Sequence, residues 1–139
     1  MSEPIFIPDE AAMLALGERL ARNAKPGDIF FFRGELGAGK TTLIRGFLRA
    51  LGIADSIKSP TFTLVESYDL GNLPIFHFDF YRIEDPEELQ RIGLSDYLTE
   101  DAICLIEWPE KAQNYLPHAS HYCTIRIPNN GEGRWVTLE

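Results

Sequence analysis

The most informative part of the chain reads Ile29-Phe30-Phe31-Phe32-Arg33-Gly34-Glu35-Leu36-Gly37-Ala38-Gly39-Lys40-Thr41. It opens with a continuous apolar run, which is typical of a strand that is buried on both faces of a sheet. The next eight residues match the pattern G-x-x-x-x-G-K-[ST] without a gap. A segment with helical patterning follows as far as Leu51, and Gly52 favours a helix end there. This order of strand, glycine-rich loop and helix predicts an α/β fold with a phosphate-binding loop.

The residue types of this loop suit a phosphate ligand. Glycines let backbone N–H groups converge on phosphate oxygens because no Cβ stands in the way, and the N-terminus of the following helix attracts the same anion. A chance match arises in roughly one chain of this length in two hundred. We expect Lys40 to reach the terminal phosphates, the Thr41 hydroxyl to ligate Mg²⁺ and Thr42 to contact a phosphate nearer the sugar. The predicted nucleotide-binding residues are Gly37, Ala38, Gly39, Lys40, Thr41 and Thr42.

The remaining segments extend the α/β interpretation. Asp9 is a helix cap before Met13, Leu16 and Leu20, which lie on one helical face. Alternating apolar and polar residues over 74–81 predict a strand, which pairs across a turn at 69–72 with a strand over 61–68. Further expected elements are a helix over 85–91, a buried strand over 102–106, a helix ending at Tyr115 and a hairpin of 122–127 with 134–138. The prediction is one domain over residues 1–139, with a mixed sheet flanked by helices.

The composition excludes several classes of protein. With 13 Lys+Arg against 21 Asp+Glu, the net charge of the 139 residues is −8, which argues against a protein that grips nucleic acid by itself. No apolar run of 18 residues predicts a membrane span, and residues 1–4 do not resemble a signal peptide. The two cysteines, Cys104 and Cys123, form no metal-binding motif. We therefore expect a cytoplasmic globular protein.

A phosphate loop of this kind also needs a carboxylate at a strand end to hold Mg²⁺, directly or through water. Glu107 follows the apolar strand 103–106, and Asp79 lies on the polar side of the alternating strand. One acid is expected at the metal and the other on the attacking water. The alternatives are that Glu107 is an exposed acid capping the helix after Pro109, and that Asp79 forms a structural ion pair with Arg82 or another base.

Four other features have two interpretations each. His77 shares the face of Asp79 and is favoured as a hydrogen-bonded structural residue over a functional one. Arg82 either stabilises phosphate charge or forms a surface ion pair. Trp108 lies either at the cleft, where aromatic residues anchor partners, or in the core. The hydroxyls of residues 59–63 either sense the terminal phosphate or belong to an ordinary turn.

Specific absences narrow the class of nucleotide-binding protein. The sequence has no Asn-Lys-x-Asp for guanine, no Asp-x-x-Gly switch after the loop and no Ser-Gly-Gly-Gln of a transporter ATPase. Adenine nucleotide is therefore the expected ligand. The chain is also short for a kinase with both an acceptor pocket and a lid. A small-molecule kinase and a nucleotide-dependent adaptor without productive hydrolysis remain alternatives to an ATPase.

Taken together, these segments resemble the TsaE (YjeE) family. The phosphate loop alone is generic, but its combination with two later motifs is specific, and the set spans residues 34–110. The matching segments are Gly34-Glu35-Leu36-Gly37-Ala38-Gly39-Lys40-Thr41-Thr42, Ser59-Pro60-Thr61-Phe62, His77-Phe78-Asp79-Phe80-Tyr81-Arg82 and Ile106-Glu107-Trp108-Pro109-Glu110.

The resemblance implies a small bacterial ATPase that is needed to place threonylcarbamoyl on the adenosine beside the tRNA anticodon. It implies partner subunits, TsaD and TsaB, that carry the transferase chemistry and contact the tRNA, while ATP hydrolysis resets the complex. By position, Lys40 and Thr41 contact phosphate and Mg²⁺, Glu107 lies on the metal side, Asp79 is needed for hydrolysis, and Trp108 lies near the nucleotide or partner face. The implied activity of the isolated subunit is weak, which agrees with the lack of an obvious catalytic arginine.

Overall fold

The computed structural model describes residues 3–53, 57, 60 and 63–139. Within them, seven strands form one sheet in the order β1-β7-β6-β2-β5-β4-β3. The strands are β1 (Ile5–Ile7), β2 (Ile29–Arg33), β3 (Val65–Leu70), β4 (Leu73–Asp79), β5 (Ile103–Glu107), β6 (His121–Arg126) and β7 (Arg134–Leu138). The helices are α1 (Glu10–Arg22), α2 (Lys40–Ala50), α3 (Glu88–Arg91) and α4 (Leu94–Tyr97), with a 3₁₀ helix over Pro109–Tyr115.

The sheet is mixed, as predicted. Strand β2 pairs in parallel with both β5 and β6, and β4 pairs in parallel with β5. Antiparallel pairs occur at the two sides, β3 with β4 on one side and β6, β7 and β1 in succession on the other. Because β2, β4 and β5 are parallel neighbours, their carboxyl ends lie at one edge of the sheet, and the phosphate loop leaves β2 at that edge.

Helices cover both faces of the sheet. Helices α1 and α2 pack on one face, where Phe30, Ile75 and Leu105 belong to the core. The short helices α3 and α4 and the 3₁₀ helix cover the other face, where Phe78 and Phe80 are buried. The predicted alternation along β4 is therefore confirmed: its even-numbered aromatic residues enter the second core, and its odd-numbered residues face α2. No helix in the described ranges is long and apolar enough to cross a membrane.

Helix α2, and with it the phosphate loop, is held by close contact with α1. An ideal Cβ on Gly17 would lie 2.1 Å from the Leu43 carbonyl oxygen, and one on Gly46 would lie 2.2 Å from the Leu14 carbonyl oxygen. Only residues without a side chain allow these two backbones to approach so closely. The predicted helix ends are also confirmed, since Asp9 Oδ1 accepts the Ala12 N–H at 2.9 Å and the Gly52 and Ile53 N–H groups close α2.

Several predicted boundaries are wrong. Strand β3 begins at Val65 rather than residue 61, because Leu64 takes a left-handed conformation with φ 70°, while residues 61 and 62 lie outside the described part. The β3–β4 turn is limited to residues 71 and 72, because Asp69 and Leu70 pair with Pro74 and Leu73 in the ladder. Strand β1 and helix α4 were not predicted, since each has only three or four residues and shows no useful periodicity.

Candidate functional site

The phosphate loop connects the end of β2 to the start of α2. Gly39, the N-cap of α2, has φ 112°, which a residue with a side chain adopts only with strain. At the other end of the loop, an ideal Cβ on Gly34 would lie 2.8 Å from the Ile125 carbonyl oxygen of β6. The first backbone N–H groups of α2 have no partner within the helix, so they are available to an anion in front of the loop.

Lys40 lies within the loop. Its Nζ donates hydrogen bonds to the Gly34 carbonyl oxygen and, at 3.0 Å, to the Glu35 carbonyl oxygen. The same Nζ lies 4.1 Å from the centroid of the Trp108 ring, in cation–π contact. Burial lowers the pKa of Lys40, while the negative charges of Glu107, Asp79 and Glu110 oppose that change. The ammonium group is thus held where the phosphates of a ligand bound to this loop would meet it.

Thr41, Glu107 and His77 form a connected polar network. Thr41 Oγ1 lies 3.2 Å from both oxygens of the Glu107 carboxylate, and His77 Nε2 lies 2.7 Å from Glu107 Oε2. Both Glu107 and His77 are buried, so the interpretation of Glu107 as an exposed helix cap is wrong. Since the carboxylate can only accept, His77 donates from Nε2; His77 Nδ1 has no hydrogen-bond partner among the residues described.

Asp79 lies beside Glu107 at the carboxyl ends of β4 and β5. The two acids are register partners in the parallel ladder, so their side chains point to the same face of the sheet. Asp79 is buried, and its Oδ1 accepts the Tyr81 N–H at 3.0 Å. The structure thus brings together the two acids that the sequence places 28 residues apart, on the side of the sheet that faces the loop.

Two cavities meet at the phosphate loop and share Gly37, Ala38, Gly39 and Thr42. The larger, of about 480 Å³, is also lined by Leu36, Lys40, Thr41, Asp79, Tyr81, Arg82, Glu107 and Trp108. The smaller, of about 260 Å³, is also lined by Ile7, Pro8, Asp9, Glu10, Met13, Gly133 and Arg134. The larger cavity therefore holds the polar residues of the site, and the smaller one extends from the loop between α1 and the β6–β7 hairpin.

Trp108 forms one wall of the larger cavity. It follows β5 directly and has φ 58°, a left-handed conformation that is unusual for a bulky residue. This turn of the backbone directs the ring over Lys40, with Tyr81 packed against it at a centroid distance of 5.0 Å. The half-buried Trp108 thus lies at the cleft, as one interpretation of the sequence predicted. It also packs against the core on the face that contains Phe78 and Phe80.

The oxygen ligands at this site suit Mg²⁺. Among the residues described, no group of three or more His, Cys, Asp and Glu side chains is arranged to hold a metal ion. The adjacent Thr41 hydroxyl and Glu107 carboxylate instead offer a small set of hard oxygen ligands. Mg²⁺ is commonly bound in this way, by one or two protein ligands together with phosphate oxygens and water.

A family model confirms the resemblance to TsaE. The model described as "Threonylcarbamoyl adenosine biosynthesis protein TsaE" matches residues 7–136, nearly the whole chain. This chain belongs to the TsaE family. The tRNA threonylcarbamoyladenosine biosynthesis protein TsaE of Haemophilus influenzae is 48% identical over 119 residues, which cover 82% of this chain and 75% of that protein. The protein of the same name from Bacillus subtilis is 44% identical over 118 residues, covering 85% and 73%.

A solved structure supports the α/β fold independently. The crystal structure of YdiB from Bacillus subtilis superimposes with a TM-score of 0.80 and 30% sequence identity, covering 98% of this chain and 84% of that one. The TsaE proteins are named for the biosynthesis of tRNA threonylcarbamoyladenosine, and this chain belongs with them.

The sequence analysis did not predict one residue that contacts the phosphate loop, and it left the role of one segment open. Arg134 lies 96 residues after Ala38 and donates from Nε to the Ala38 carbonyl oxygen at 3.0 Å. No local motif marks it, because an arginine that begins a predicted strand has no pattern of its own. The hydroxyl-bearing segment 59–63 falls mostly outside the described residues; within it, Thr63 donates to Glu66 at 3.2 Å.

Proposed function

We propose that this TsaE-family protein binds ATP with Mg²⁺ and hydrolyses it as a subunit acting with TsaD and TsaB in tRNA threonylcarbamoyladenosine biosynthesis. One observation carries the proposal. Lys40, Thr41 and the buried carboxylates Asp79 and Glu107 line a single cavity of about 480 Å³ in front of a complete phosphate loop. A cation, a hydroxyl and two acids in this arrangement match the needs of phosphoryl transfer to water.

The two cavities divide the ligand between them. The triphosphate occupies the larger cavity, where the loop N–H groups and Lys40 stabilise its negative charge. The nucleoside occupies the smaller cavity, which opens from the same loop residues and passes between α1 and the β6–β7 hairpin. Thr42 lines both cavities, which supports its expected contact with a phosphate nearer the sugar.

Hydrolysis replaces the bond between the γ-phosphorus and the bridging oxygen with a bond to water, which gives ADP and inorganic phosphate. Thr41 and Glu107 would hold Mg²⁺, which neutralises phosphate charge when bound. His77 fixes the Glu107 carboxylate through the 2.7 Å hydrogen bond to Oε2. Asp79 orients the attacking water and accepts its proton, and Trp108 excludes bulk water from the cleft.

The net charge of this protein supports a role for the partner subunits in binding tRNA. A protein with a net charge of −8 has little electrostatic attraction for a polyanion, so the tRNA is held by the partner subunits. The resemblance to TsaE implies weak intrinsic turnover and activation by the complex. Arg82 lines the larger cavity and is the arginine there that would stabilise phosphate charge in the activated state.

Binding and turnover by variants test this function separately. Lys40→Ala should weaken ATP binding in calorimetry at least tenfold, whereas Asp79→Asn should retain binding and lose phosphate release in the presence of TsaB and TsaD. The exposed Lys25, outside both cavities, provides Lys25→Ala as a control for loss of one positive charge. Transfer of γ-label to an organic acceptor would instead indicate a kinase. Unchanged phosphate release by Asp79→Asn would favour the alternative function, a nucleotide-dependent adaptor without productive hydrolysis.

A further inference from the structure

The Arg134 guanidinium links the turn before β7 to the phosphate loop. From the first position of β7 it donates to two loop carbonyl oxygens, Ala38 at 3.0 Å from Nε and Gly37 at 3.1 Å from Nη2. Its Nη1 donates to two carbonyl oxygens of the preceding hairpin turn, Gly133 at 2.6 Å and Gly131 at 3.3 Å. Four backbone carbonyls from two distant segments therefore share one side chain.

These bonds fix the orientation of two loop peptides. In a planar trans peptide the C=O and the following N–H point in opposite directions. Because Arg134 holds the carbonyls of Gly37 and Ala38 on its own side, the N–H groups of Ala38 and Gly39 point away from it. The Ala38 N–H closes a turn onto the Glu35 carbonyl oxygen at 3.0 Å. The Gly39 N–H is therefore the loop donor that faces away from Arg134 and is available to an anion.

We propose that Arg134 is a positioning residue of the phosphate loop: it holds the two loop peptides so that the Gly39 N–H is oriented for phosphate before a ligand binds. This inference rests on the proposed nucleotide-binding function. Steric contact cannot supply the same restraint at Gly37, since nothing lies within 4 Å of the place its Cβ would occupy. A glycine peptide in open space rotates readily. Hydrogen bonds to its carbonyl are what limits that rotation.

Arginine suits this role better than lysine. Its planar group presents five N–H donors in a fixed fork, of which four are used here, and it stays charged at all relevant pH values. A lysine ammonium would keep the charge, but it could not donate at the same time to the two carbonyls of the loop and the two carbonyls of the turn. The positive charge of Arg134 also lies next to the Gly37 and Ala38 carbonyl oxygens. It offsets their partial negative charge, which would repel a bound phosphate.

The backbone of Arg134 is itself held in place. Its register partner is Ile7 of β1, so the first and last strands of the chain jointly support it. The preceding Gly133 has φ 70°, and an ideal Cβ there would lie 2.4 Å from Phe6 Cζ, so β1 packs directly against the turn. Phe6 in turn contacts the Trp135 ring at a centroid distance of 5.1 Å. The guanidinium therefore extends from a strand that pairs with β1 on one side and β6 on the other, rather than from a free hairpin tip.

The test separates phosphate binding from nucleoside binding. Calorimetry measures the dissociation constants of ATP and of inorganic pyrophosphate for the wild type, Arg134→Met and Arg134→Lys. We expect Arg134→Met to weaken both ligands at least tenfold, and Arg134→Lys to weaken both by a smaller factor above threefold. Arg126→Met is the matched control and should bind like the wild type, because Arg126 lies exposed on the neighbouring strand and its guanidinium makes no hydrogen bond or ion pair with the described residues.

Any other set of affinities contradicts the positioning role of Arg134 or the proposed function. Weaker binding of ATP alone would mean that Arg134 contacts the nucleoside, and wild-type affinity in Arg134→Lys would mean that charge alone suffices; both contradict positioning. Normal affinity in Arg134→Met contradicts it as well but leaves the proposed function intact. If the wild type binds neither ligand, the proposed function fails together with this inference.

A measurement on the wild type covers the case in which the variants do not fold. The Arg134 Nε–H, hydrogen-bonded to the Ala38 carbonyl oxygen, should give an NMR signal protected from solvent exchange, and that signal should shift when pyrophosphate binds. An Nε–H that exchanges as fast as that of the exposed Arg126 would overturn the inference.

Discussion

Replacing Glu107 with glutamine isolates the role of its charge. In the structure the carboxylate accepts from His77 Nε2 at 2.7 Å and lies 3.2 Å from Thr41 Oγ1. The glutamine amide keeps this shape, because its oxygen accepts from His77 and its NH₂ group donates to the Thr41 oxygen. We therefore expect Glu107→Gln to change the free energy of unfolding by no more than about 1 kcal/mol.

Glu107→Ala differs because it leaves the buried His77 donor without an acceptor. An unsatisfied buried donor costs about 1–3 kcal/mol, which lowers the Tm of a domain of this size by several degrees. Comparing the two variants by urea and thermal unfolding thus separates the structural contribution of the residue from its charge.

The charge itself should appear in the response to Mg²⁺. Loss of an anionic ligand removes about 2–3 kcal/mol, which corresponds to a roughly 30- to 150-fold loss of the Mg²⁺-dependent part of ATP affinity. The assay is calorimetric titration of the protein with ATP, once in the presence of Mg²⁺ and once in EDTA. The measured quantity is the dissociation constant in EDTA divided by the dissociation constant in Mg²⁺. In Glu107→Gln that ratio should fall toward one, while affinity in EDTA stays close to that of the wild type.

The control is Glu110→Gln, since the exposed Glu110 also raises the pKa of Lys40 through its charge but does not line the larger cavity. It should keep the wild-type Mg²⁺ response. An unchanged ratio in Glu107→Gln, or an equal loss in both variants, would refute the assignment of Glu107 to the metal.

Three further measurements test other parts of the structure. In a Trp135→Phe background, ATP binding should change the emission of Trp108, because the Lys40 ammonium leaves its contact with the ring; constant emission would contradict that contact. Burial raises the pKa of both Cys104 and Cys123 to about 12, whereas the unfolded thiols titrate near pH 9. The folded state therefore loses stability as pH rises from about 9 to 12, by about 1.4 kcal/mol per pH unit for each thiol, and urea unfolding of a double alanine variant should show a correspondingly weaker pH dependence. Gly17→Ala should destabilise the fold by about 1–3 kcal/mol, because its Cβ would lie 2.1 Å from a carbonyl oxygen of α2; a loss below about 0.5 kcal/mol in urea unfolding would mean that the helices separate without cost.

Features determined by neighbours in sequence could be predicted from the sequence. The Asp9 cap, the Gly52 helix end and the glycine-rich loop each depend on residues within one or two turns, and each lies where it was expected. The strand-end rule also placed both acids correctly, because the carboxyl ends of parallel neighbours converge without any knowledge of side-chain detail.

Contacts set by strand register were beyond local patterns. The hydrogen bond between His77 and Glu107 depends on β4 and β5 being adjacent and on a particular alignment of the two. The bonds of Arg134 to the loop depend on β7 lying two strands from β2 in the sheet, 97 residues after Gly37. Short elements such as β1 owe their conformation to pairing with β7 rather than to any periodicity of three residues.

The buried polar side chains at the candidate site are costly for stability and are what the proposed ligand binding requires. Within the described part of the chain, the buried polar or charged residues are Lys40, His77, Asp79 and Glu107. Lys40, Asp79 and Glu107 line the larger cavity together with Thr41, and His77 is hydrogen-bonded to Glu107. Removing such groups from water costs several kcal/mol, and two acids in register on adjacent strands repel each other. Apolar residues at β4 and β5 would stabilise the sheet more. A metal ion and a polyphosphate bound as proposed would offset this cost, because the cation would attract both acids and the phosphates would attract Lys40. We therefore expect ligand binding to offset the free-energy cost of burying these groups and to increase the free energy of unfolding of the protein.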